Sequence, residues 1–301
     1  MRQLLPESYI VRWHLQGIER EKLQEIRLRC GKTLFLTYEG VELERADIIV
    51  TRADVEQIFQ WLCGYGVYAY QEEIAKGYIT VQGGHRVGIG GQVLLDSTGN
   101  AVHMKYISSI LIRVCHDVKG VADGVLDSLY ENGHLKSTLI LSPPGCGKTT
   151  LLRDLVRQVS DGNVYSKGKN VSLIDEREEL AAVYAGGPTV DVGKRTDVIS
   201  GCEKALAMEM CLRALGPEVV AVDEIYSEKD LLAVKRLHGC GCVILATHHA
   251  YSFEEFREKR FGKEVLENGM FQRFVVLGKK SGKYVISEVL GVKGKGARST
   301  E

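Results

Sequence analysis

Apolar positions follow two different rhythms along this chain. Residues 25–30 alternate apolar and charged side chains, as a half-exposed strand does, and residues 108–114 form a further apolar strand pattern. Beyond residue 120, short apolar runs alternate with stretches of helical spacing. Strands that are apolar throughout and alternate with helices predict a parallel sheet covered by helices. The predicted organisation is a smaller α+β domain at residues 1–120, an α/β domain at 121–290 and a flexible basic tail at 291–301.

Turn and capping residues mark where individual elements begin and end. The segment from Thr51 to Asp54 predicts a capping box before a helix, and Gly83-Gly84 predicts a turn between two β-like runs. Gly88 and Gly90 also suggest a dinucleotide-binding loop, but the third glycine is missing and no helix follows, so a glycine hairpin is preferred. The Gly-rich residues 181–197 are predicted to form a surface loop.

Residues 139–150 have the strand–loop–helix pattern that a phosphate-binding P-loop requires. An apolar run is followed by a Pro/Gly loop ending in Gly-Lys-Thr and then by apolar residues at helical spacing. The expected nucleotide-contacting residues are Ser142, Pro143, Pro144, Gly145, Cys146, Gly147, Lys148, Thr149 and Thr150. Backbone N–H groups would surround the phosphates, Lys148 would reach the β- and γ-phosphates, and the Thr149 hydroxyl would bind Mg²⁺. The expected cofactors are therefore ATP and Mg²⁺.

Ser142 is a departure from the P-loop consensus, which has Gly at that place. Ser is small and tolerated in turns, so the phosphate-binding chemistry is retained. A second Gly-Lys-Thr, at residues 31–33, has Ile26 at the corresponding place and no following helix. We interpret that second match as chance.

An acidic signature follows the apolar residues 219–222. Asp223 comes directly after this strand, which is the Walker B pattern, and its carboxylate is expected to hold Mg²⁺. The adjacent Glu224 is expected to orient and polarise the attacking water. A lone Asp-Glu pair after a strand is common, but the P-loop upstream favours a functional interpretation.

Polar residues at two further strand ends, and at the end of the helix before residue 219, follow a particular order. Residues 174–178 read Ile-Asp-Glu-Arg-Glu, residues 212–217 read Leu-Arg-Ala-Leu-Gly-Pro, and residues 246–250 read Ala-Thr-His-His-Ala. Together with the P-loop, these resemble the type II and type IV secretion and pilus ATPases, a family with an RecA-like P-loop domain. The resemblance implies the following additional site residues: Asp175 (at the metal) and Glu178 in an acidic box, Arg213 before Walker B, and His249 as sensor of the γ-phosphate.

The resemblance leaves two assignments open. Glu178 and Glu224 compete for the water-activating role, and Glu224 is favoured. His248 and His249 can also be explained as a polar strand end without a function.

Several non-catalytic stretches resemble a narrower family, stage III sporulation protein AA. These are residues 25–29, 81–88, 108–113 and 191–197. The resemblance implies a cytoplasmic, peripheral ATPase at the inner face of the mother-cell membrane. It also implies a homo-oligomer, expected to be a hexamer, that docks on membrane proteins of the assembly linking mother cell and forespore.

Two arginines of the N-terminal domain are candidates for completing the site of a neighbouring copy. In secretion ATPases, arginines from the N-terminal domain or linker approach the γ-phosphate, and Arg86 and Arg113 occupy similar places. A planar guanidinium suits the charge that develops in phosphoryl transfer. The alternative is that both residues simply pair with surface carboxylates.

Composition narrows the remaining alternatives. Lys+Arg and Asp+Glu are both 39, so the zero net charge argues against a nucleic-acid motor of the helicase type, and no nucleic-acid partner is expected. No stretch approaches the roughly 20 apolar residues of a membrane span, and the N-terminus has no signal-peptide core. The eight cysteines are interpreted as reduced core thiols. A nucleotide-binding scaffold without turnover is the third class of function considered.

Overall fold

The structure, a computed structural model, describes residues 1, 4–280 and 283–291. The chain divides into two compact units. The first comprises Met1–His116 together with Tyr184–Val190, and the second comprises Asp117–Val183 and Asp191–Glu301. The predicted basic tail lies outside the described residues from residue 292 onward.

The first unit is built on a six-stranded antiparallel sheet with the order β3-β2-β1-β6-β5-β4. Its strands are β1 Leu23–Arg29, β2 Thr33–Tyr38, β3 Val41–Ile49, β4 Tyr78–Val81, β5 His85–Leu95 and β6 Ala101–Arg113. Its helices are α1 Glu7–Arg12, α2 Arg52–Leu62 and α3 Gln71–Ala75, with 3₁₀ turns at Arg20–Lys22 and Val67–Tyr70.

Period-two alternation decides which face of this sheet is buried. In β1, Ile26 and Leu28 are buried in the core, while Arg27 between them is half-exposed. Helix α2 begins at the predicted capping box, in which the Thr51 hydroxyl accepts the Asp54 N–H. Together these signals account for an α+β unit with one apolar and one polar sheet face.

The second unit contains a seven-stranded sheet with the order β13-β12-β14-β15-β9-β16-β17. Neighbouring strands are parallel except for the β16–β17 hairpin, so the expected parallel-rich α/β fold is confirmed. The sheet strands are β9 Thr138–Ser142, β12 Val171–Asp175, β13 Thr196–Ser200, β14 Val219–Val222, β15 Val243–His249, β16 Arg273–Lys280 and β17 Lys283–Gly291. Two small hairpins lie outside this sheet: β7 Tyr130–Glu131 with β8 His134–Leu135, and β10 Gly162–Asn163 with β11 Ser166–Lys167.

Except for the first, the helices of this unit join successive strands of the seven-stranded sheet. They are α4 Leu126–Leu129, α5 Lys148–Asp161, α6 Lys204–Ala214, α7 Glu228–Gly239, α8 Phe253–Glu258 and α9 Arg260–Glu267. Strands β9, β12 and β14 are buried over their whole length, as their continuous apolar runs require.

The prediction of a surface loop over residues 181–197 was partly wrong. Ala181, Ala182 and Val183 are buried, and the edge strand β13 begins at Thr196. The alternation of polar and apolar residues in β13 is short, and glycines precede it, so the local pattern resembles a loop. Only pairing with β12 reveals the strand.

Candidate active site

The phosphate loop joins strand β9 to helix α5. Strand β9 ends at Ser142 and α5 begins at Lys148. Gly145 and Gly147 have φ of 67° and 81°, a left-handed conformation that side chains with a Cβ rarely adopt. The loop therefore reverses direction at its glycines, and the N-terminus of a 14-residue helix follows directly. Such a helix N-terminus presents backbone N–H groups and partial positive charge to an anion.

Strand order collects the polar strand ends at one edge of the sheet. Strand β15 lies between β9 and β14, and β12 follows β14. Because these strands are parallel, their carboxyl ends meet, as is usual for ligand sites in open α/β sheets. A cavity of about 200 Å³ lies there, lined by the phosphate loop and by residues including Asp175, Asp223, Glu224 and His249.

Thr247 connects the acidic signature to the neighbouring strand. Its side chain is fully buried, and its hydroxyl donates a hydrogen bond to Asp223 Oδ1. The same hydroxyl accepts the Glu224 N–H at 2.8 Å. Asp223 Oδ2 in turn accepts the Thr149 hydroxyl at 3.0 Å. The C-terminal ends of β14 and β15 and the start of α5 are thus linked into one polar network around Asp223.

His249 lies between a cation and an anion of the site. Its Nε2 is 3.2 Å from Lys148 Nζ and 3.1 Å from Glu224 Oε1, and its Nδ1 is 3.3 Å from the Ser142 carbonyl oxygen. A neutral Nε2 can accept from the lysine, whereas a protonated Nε2 can donate to the carboxylate. Whether Nε2 carries a hydrogen atom therefore decides which of the two groups His249 can bond.

Asp175 holds the loop that follows β12. Its carboxylate is buried and accepts the N–H groups of Glu179, at 2.9 Å, and of Ala181, at 2.8 Å. Burial raises the pKa of Asp175 above its usual value, and the backbone hydrogen bonds oppose that shift. Both carboxylate oxygens are thus engaged by the loop of the same chain.

Comparison with known proteins decides the family. The family model for Sporulation stage III, protein AA matches residues 4–297. The chain belongs to this family. It is 34% identical over 292 residues to stage III sporulation protein AA of Bacillus subtilis (strain 168), which covers 95% of this chain and 93% of that protein. It is also 30% identical over 149 residues to the ycf45 protein of Porphyra purpurea, covering 49% of this chain and 25% of that protein.

Two solved structures have the same fold as this member of the protein AA family. The ATPase DotB of Legionella pneumophila is 14% identical with a TM-score of 0.64, covering 94% of this chain and 80% of that one. The pilus retraction motor PilT with bound ADP is 16% identical with a TM-score of 0.65, covering 95% and 83%. The expected secretion-ATPase fold is therefore confirmed. Within the described residues, the structure contains no helix that is both long and apolar enough to span a bilayer.

Of the two acidic-box residues that the sequence suggested, Asp175 lines the cavity and Glu178 does not. Glu178, which has a φ of 58°, is not among the residues that line it, and its Oε1 lies close to Gly201. Glu176 and Arg177 line the cavity instead, and Arg177 Nη1 is 3.4 Å from Glu224 Oε2. The acids of this segment are adjacent in sequence, so only the backbone conformation decides which of them faces inward.

Lys204 is a cavity residue that sequence reasoning missed. It is the first residue of α6, its exposed fraction is 5%, and its Nζ donates to the Glu224 carbonyl oxygen at 2.7 Å. It also lies 3.2 Å from Glu176 Oε2. A lysine at the start of a helix is usually exposed to solvent. The only sequence signal for a role at the site was its position between the strand that ends at Asp175 and the strand that precedes Asp223.

Arg213, Arg86 and Arg113 are not among the residues that line this cavity. Arg213 is near the C-terminal end of α6, nine residues or about 14 Å along the helix from Lys204. Its side chain is 81% exposed and lies 3.7 Å from Glu209. Arg86 and Arg113 belong to the first unit, where they are directly opposite each other on β5 and β6.

Both arginines of the first unit have contacts there. The Arg86 guanidinium lies 4.0 Å from the centre of the Tyr78 ring, and Arg113 Nε lies 3.9 Å from Glu25 Oε1. Arg113 nevertheless keeps 61% of its side chain exposed. The two predicted residues therefore lie side by side on the polar face of the sheet, with Glu25 beside them.

The candidate metal ligands carry oxygen atoms, which are the donors that Mg²⁺ prefers. In the part of the chain that the structure describes, no three His, Cys, Asp or Glu side chains are grouped so as to hold a metal ion. Mg²⁺ needs only one or two protein oxygens, because water and phosphate supply its other ligands. The Thr149 and Asp223 oxygens, 3.0 Å apart, are suited to that arrangement.

Proposed function

We propose that this protein binds ATP with Mg²⁺ and hydrolyses it as a motor of the secretion-ATPase type. The observation that carries the proposal is the hydrogen bond between the P-loop Thr149 and Asp223, with Glu224 next to Asp223 at the same cavity. A P-loop hydroxyl and a strand-end carboxylate in contact are the oxygens that phosphoryl-transfer enzymes of this class use to hold Mg²⁺.

The phosphate loop supplies the binding energy in this proposal. Backbone N–H groups around Gly145 and Gly147, with the N-terminus of α5, receive the phosphate oxygens. Lys148 adds a positive charge at the mouth of this loop. When bound between Thr149 and Asp223, Mg²⁺ supplies further positive charge to the phosphate oxygens. Asp175 is not assigned a direct metal contact, because its carboxylate already holds the acidic loop.

Glu224 is the residue proposed to orient water. Its carboxylate lies at the cavity, beside His249 Nε2, and it follows Asp223 directly. A carboxylate in this place can accept a proton from water as the water attacks. His249 contacts both Lys148 and Glu224, so it is suited to couple the charge at the phosphates to the position of this carboxylate.

The biological role proposed for the motor is to energise the assembly that links mother cell and forespore during sporulation. Membership of the protein AA family and the similarity to the Bacillus subtilis protein support it. From the motif resemblance to the secretion and pilus ATPases, we further propose a cytoplasmic oligomer, expected to be a hexamer, that works against membrane proteins. In that oligomer, Arg86 and Arg113 of one copy are proposed to complete the site of its neighbour.

The decisive experiment for ATP hydrolysis compares Lys148→Ala with the wild type. We expect Lys148→Ala to abolish turnover and weaken nucleotide binding without unfolding the protein, because the lysine supplies charge rather than packing. Lys235→Ala is a matched control, since Lys235 lies on α7 in an ion pair with Glu264 and does not line the cavity. Undiminished hydrolysis in Lys148→Ala would refute the proposal, and strong stimulation by single-stranded DNA would favour a nucleic-acid motor.

Completion of the site by a neighbour is tested by mixing variants. Arg86→Lys or Arg113→Lys subunits are combined with Lys148→Ala subunits, and ATPase activity is measured. Each mixed interface can pair one intact P-loop with one intact arginine, so activity should return. Lysine should not substitute for arginine, because a point charge lacks the planar fork of the guanidinium. Absence of recovery in mixed oligomers of confirmed mass would refute this part.

A further inference from the structure

Glu224 has a backbone conformation that residues with a Cβ rarely adopt. Its φ is 55°, in the left-handed region, although it is not a glycine. Such conformations persist only where the surrounding structure holds them, and they are frequent at functional sites. Contacts with the surrounding residues must therefore hold Glu224 in this conformation.

Two side chains form hydrogen bonds to the backbone of Glu224, one at its N–H group and one at its carbonyl oxygen. The Glu224 N–H donates to the Thr247 hydroxyl at 2.8 Å, and the Glu224 carbonyl oxygen accepts from Lys204 Nζ at 2.7 Å. Thr247 is fixed by its strand, since it lies within β15. Lys204 comes from a different element, the N-terminal end of α6.

The ammonium group of Lys204 has a nearby partner for each of its three N–H donors. Besides the Glu224 carbonyl, it lies 3.2 Å from Glu176 Oε2 and 4.6 Å from the centre of the Tyr226 ring. A lysine has three N–H donors, so a carbonyl, a carboxylate and an aromatic face can engage all of them. A cation that is 95% buried and engaged in this way is a fixed point rather than a mobile phosphate ligand.

We infer that Lys204 is a positioning residue that keeps Glu224 in its left-handed conformation and its carboxylate at the cavity beside His249. The inference rests on the proposed ATP hydrolysis. Without the bond from Lys204, the Glu224 backbone can relax towards negative φ, and this rotation moves the carboxylate away from His249. Lys204 has no direct hydrogen bond or ion pair with Lys148, Thr149 or another residue of the phosphate loop in the described part of the chain. Catalysis should therefore fall while nucleotide binding persists.

The first test is Lys204→Met, which keeps the apolar stem and removes the ammonium group. We expect kcat for ATP hydrolysis to fall by about 100-fold, the loss that a misplacement of about 1 Å at a reacting group causes. The dissociation constant for ATP should rise by a much smaller factor than kcat falls. Lys229→Met is the matched control, because Lys229 also lies 3.2 Å from a glutamate, Glu203, but on an exposed surface. An unchanged kcat in Lys204→Met, or a loss of ATP binding equal to the loss of kcat, would overturn the inference.

The second test asks whether Lys204 acts through Glu224. Lys204→Met is combined with Glu224→Gln, and the residual hydrolysis is measured in single turnovers. If the lysine works by positioning the Glu224 carboxylate, it should add little to the loss in the Glu224→Gln background. An equal fold-loss in both backgrounds would mean that Lys204 acts on the phosphates directly and would overturn the inference.

Two safeguards keep the result interpretable. If Lys204→Met does not fold, Lys204→Gln is used instead. Glutamine is polar, so water can solvate it at this position, but its side chain is too short to reach the Glu224 carbonyl oxygen. The same kcat loss is expected, and wild-type kcat in that variant would overturn the inference. Absence of hydrolysis by the wild-type protein itself would refute the proposed function, which is a separate and visible outcome.

Discussion

Thr247→Val removes one hydroxyl from the centre of the polar network and keeps the shape of the side chain. In the wild-type protein this hydroxyl bonds Asp223 and accepts the Glu224 N–H. Valine offers neither interaction. The Asp223 carboxylate borders the cavity and can recover water, whereas the Glu224 N–H loses the acceptor that the structure gives it.

The cost follows from these two losses. A hydrogen bond to a charged group contributes about 1.5–3 kcal/mol, and an unsatisfied buried N–H costs about 1–3 kcal/mol. With partial rehydration of Asp223, we expect the free energy of unfolding to fall by about 2–4 kcal/mol. For a domain of this size, that corresponds to a decrease in Tm of about 4–16 °C. Because Asp223 and Glu224 both lose a fixed partner, kcat for ATP should also fall by about 100-fold.

Thr138→Val provides the comparison. Thr138 is also fully buried, lies on the adjacent strand β9, and donates its hydroxyl to the Lys136 carbonyl at the opposite end of the sheet from the cavity. We expect it to cost only about 1 kcal/mol and to leave kcat unchanged. Calorimetry and steady-state ATPase assays on both variants check the prediction. If Thr247→Val melts no lower than Thr138→Val and retains its kcat, the network around Asp223 has been misinterpreted.

Three further outcomes can be measured. Glu224→Gln should lower kcat by about 10²–10⁴-fold with ATP still bound, whereas Glu178→Gln should lower it less than about tenfold; the reverse order would exchange the two roles. Arg213→Ala should change the free energy of unfolding by no more than about 0.5 kcal/mol, because the ion pair of Arg213 with Glu209 is exposed. A larger change in urea denaturation would contradict the description of Arg213 as an exposed residue with a weak ion pair. Burial lowers the pKa of His85 to about 4, so the unfolded chain binds a proton first as the pH falls below about 6.5. The contribution of His85 to the free energy of unfolding should therefore be fully present above about pH 6.5 and should fall by about 3 kcal/mol towards pH 4. A His85→Gln variant whose free energy of unfolding falls equally steeply over this range would contradict this.

Local patterns in the sequence determined the elements and most of the chemistry. The continuous apolar run before the phosphate loop predicted strand β9, and the Gly-Lys-Thr sequence predicted the turn into α5, because both depend on neighbouring residues alone. The apolar residues before Asp223 and before Thr247 likewise predicted two further strand ends. In an open parallel sheet, carboxyl ends meet at one edge, so a common site followed without knowledge of the strand order.

The tertiary structure alone decided which side chains complete that site. Arg177 and Glu178 are neighbours in the chain, but the backbone of the acidic loop brings Arg177 to Glu224 and leaves Glu178 beside Gly201. Lys204 reaches the Glu224 carbonyl from a helix 20 residues earlier in the sequence. Thr247 joins Asp223 because β15 lies beside β14, a pairing between segments separated by a complete helix. Contacts of this kind depend on packing between distant segments, and no periodicity within a short window of sequence can specify them.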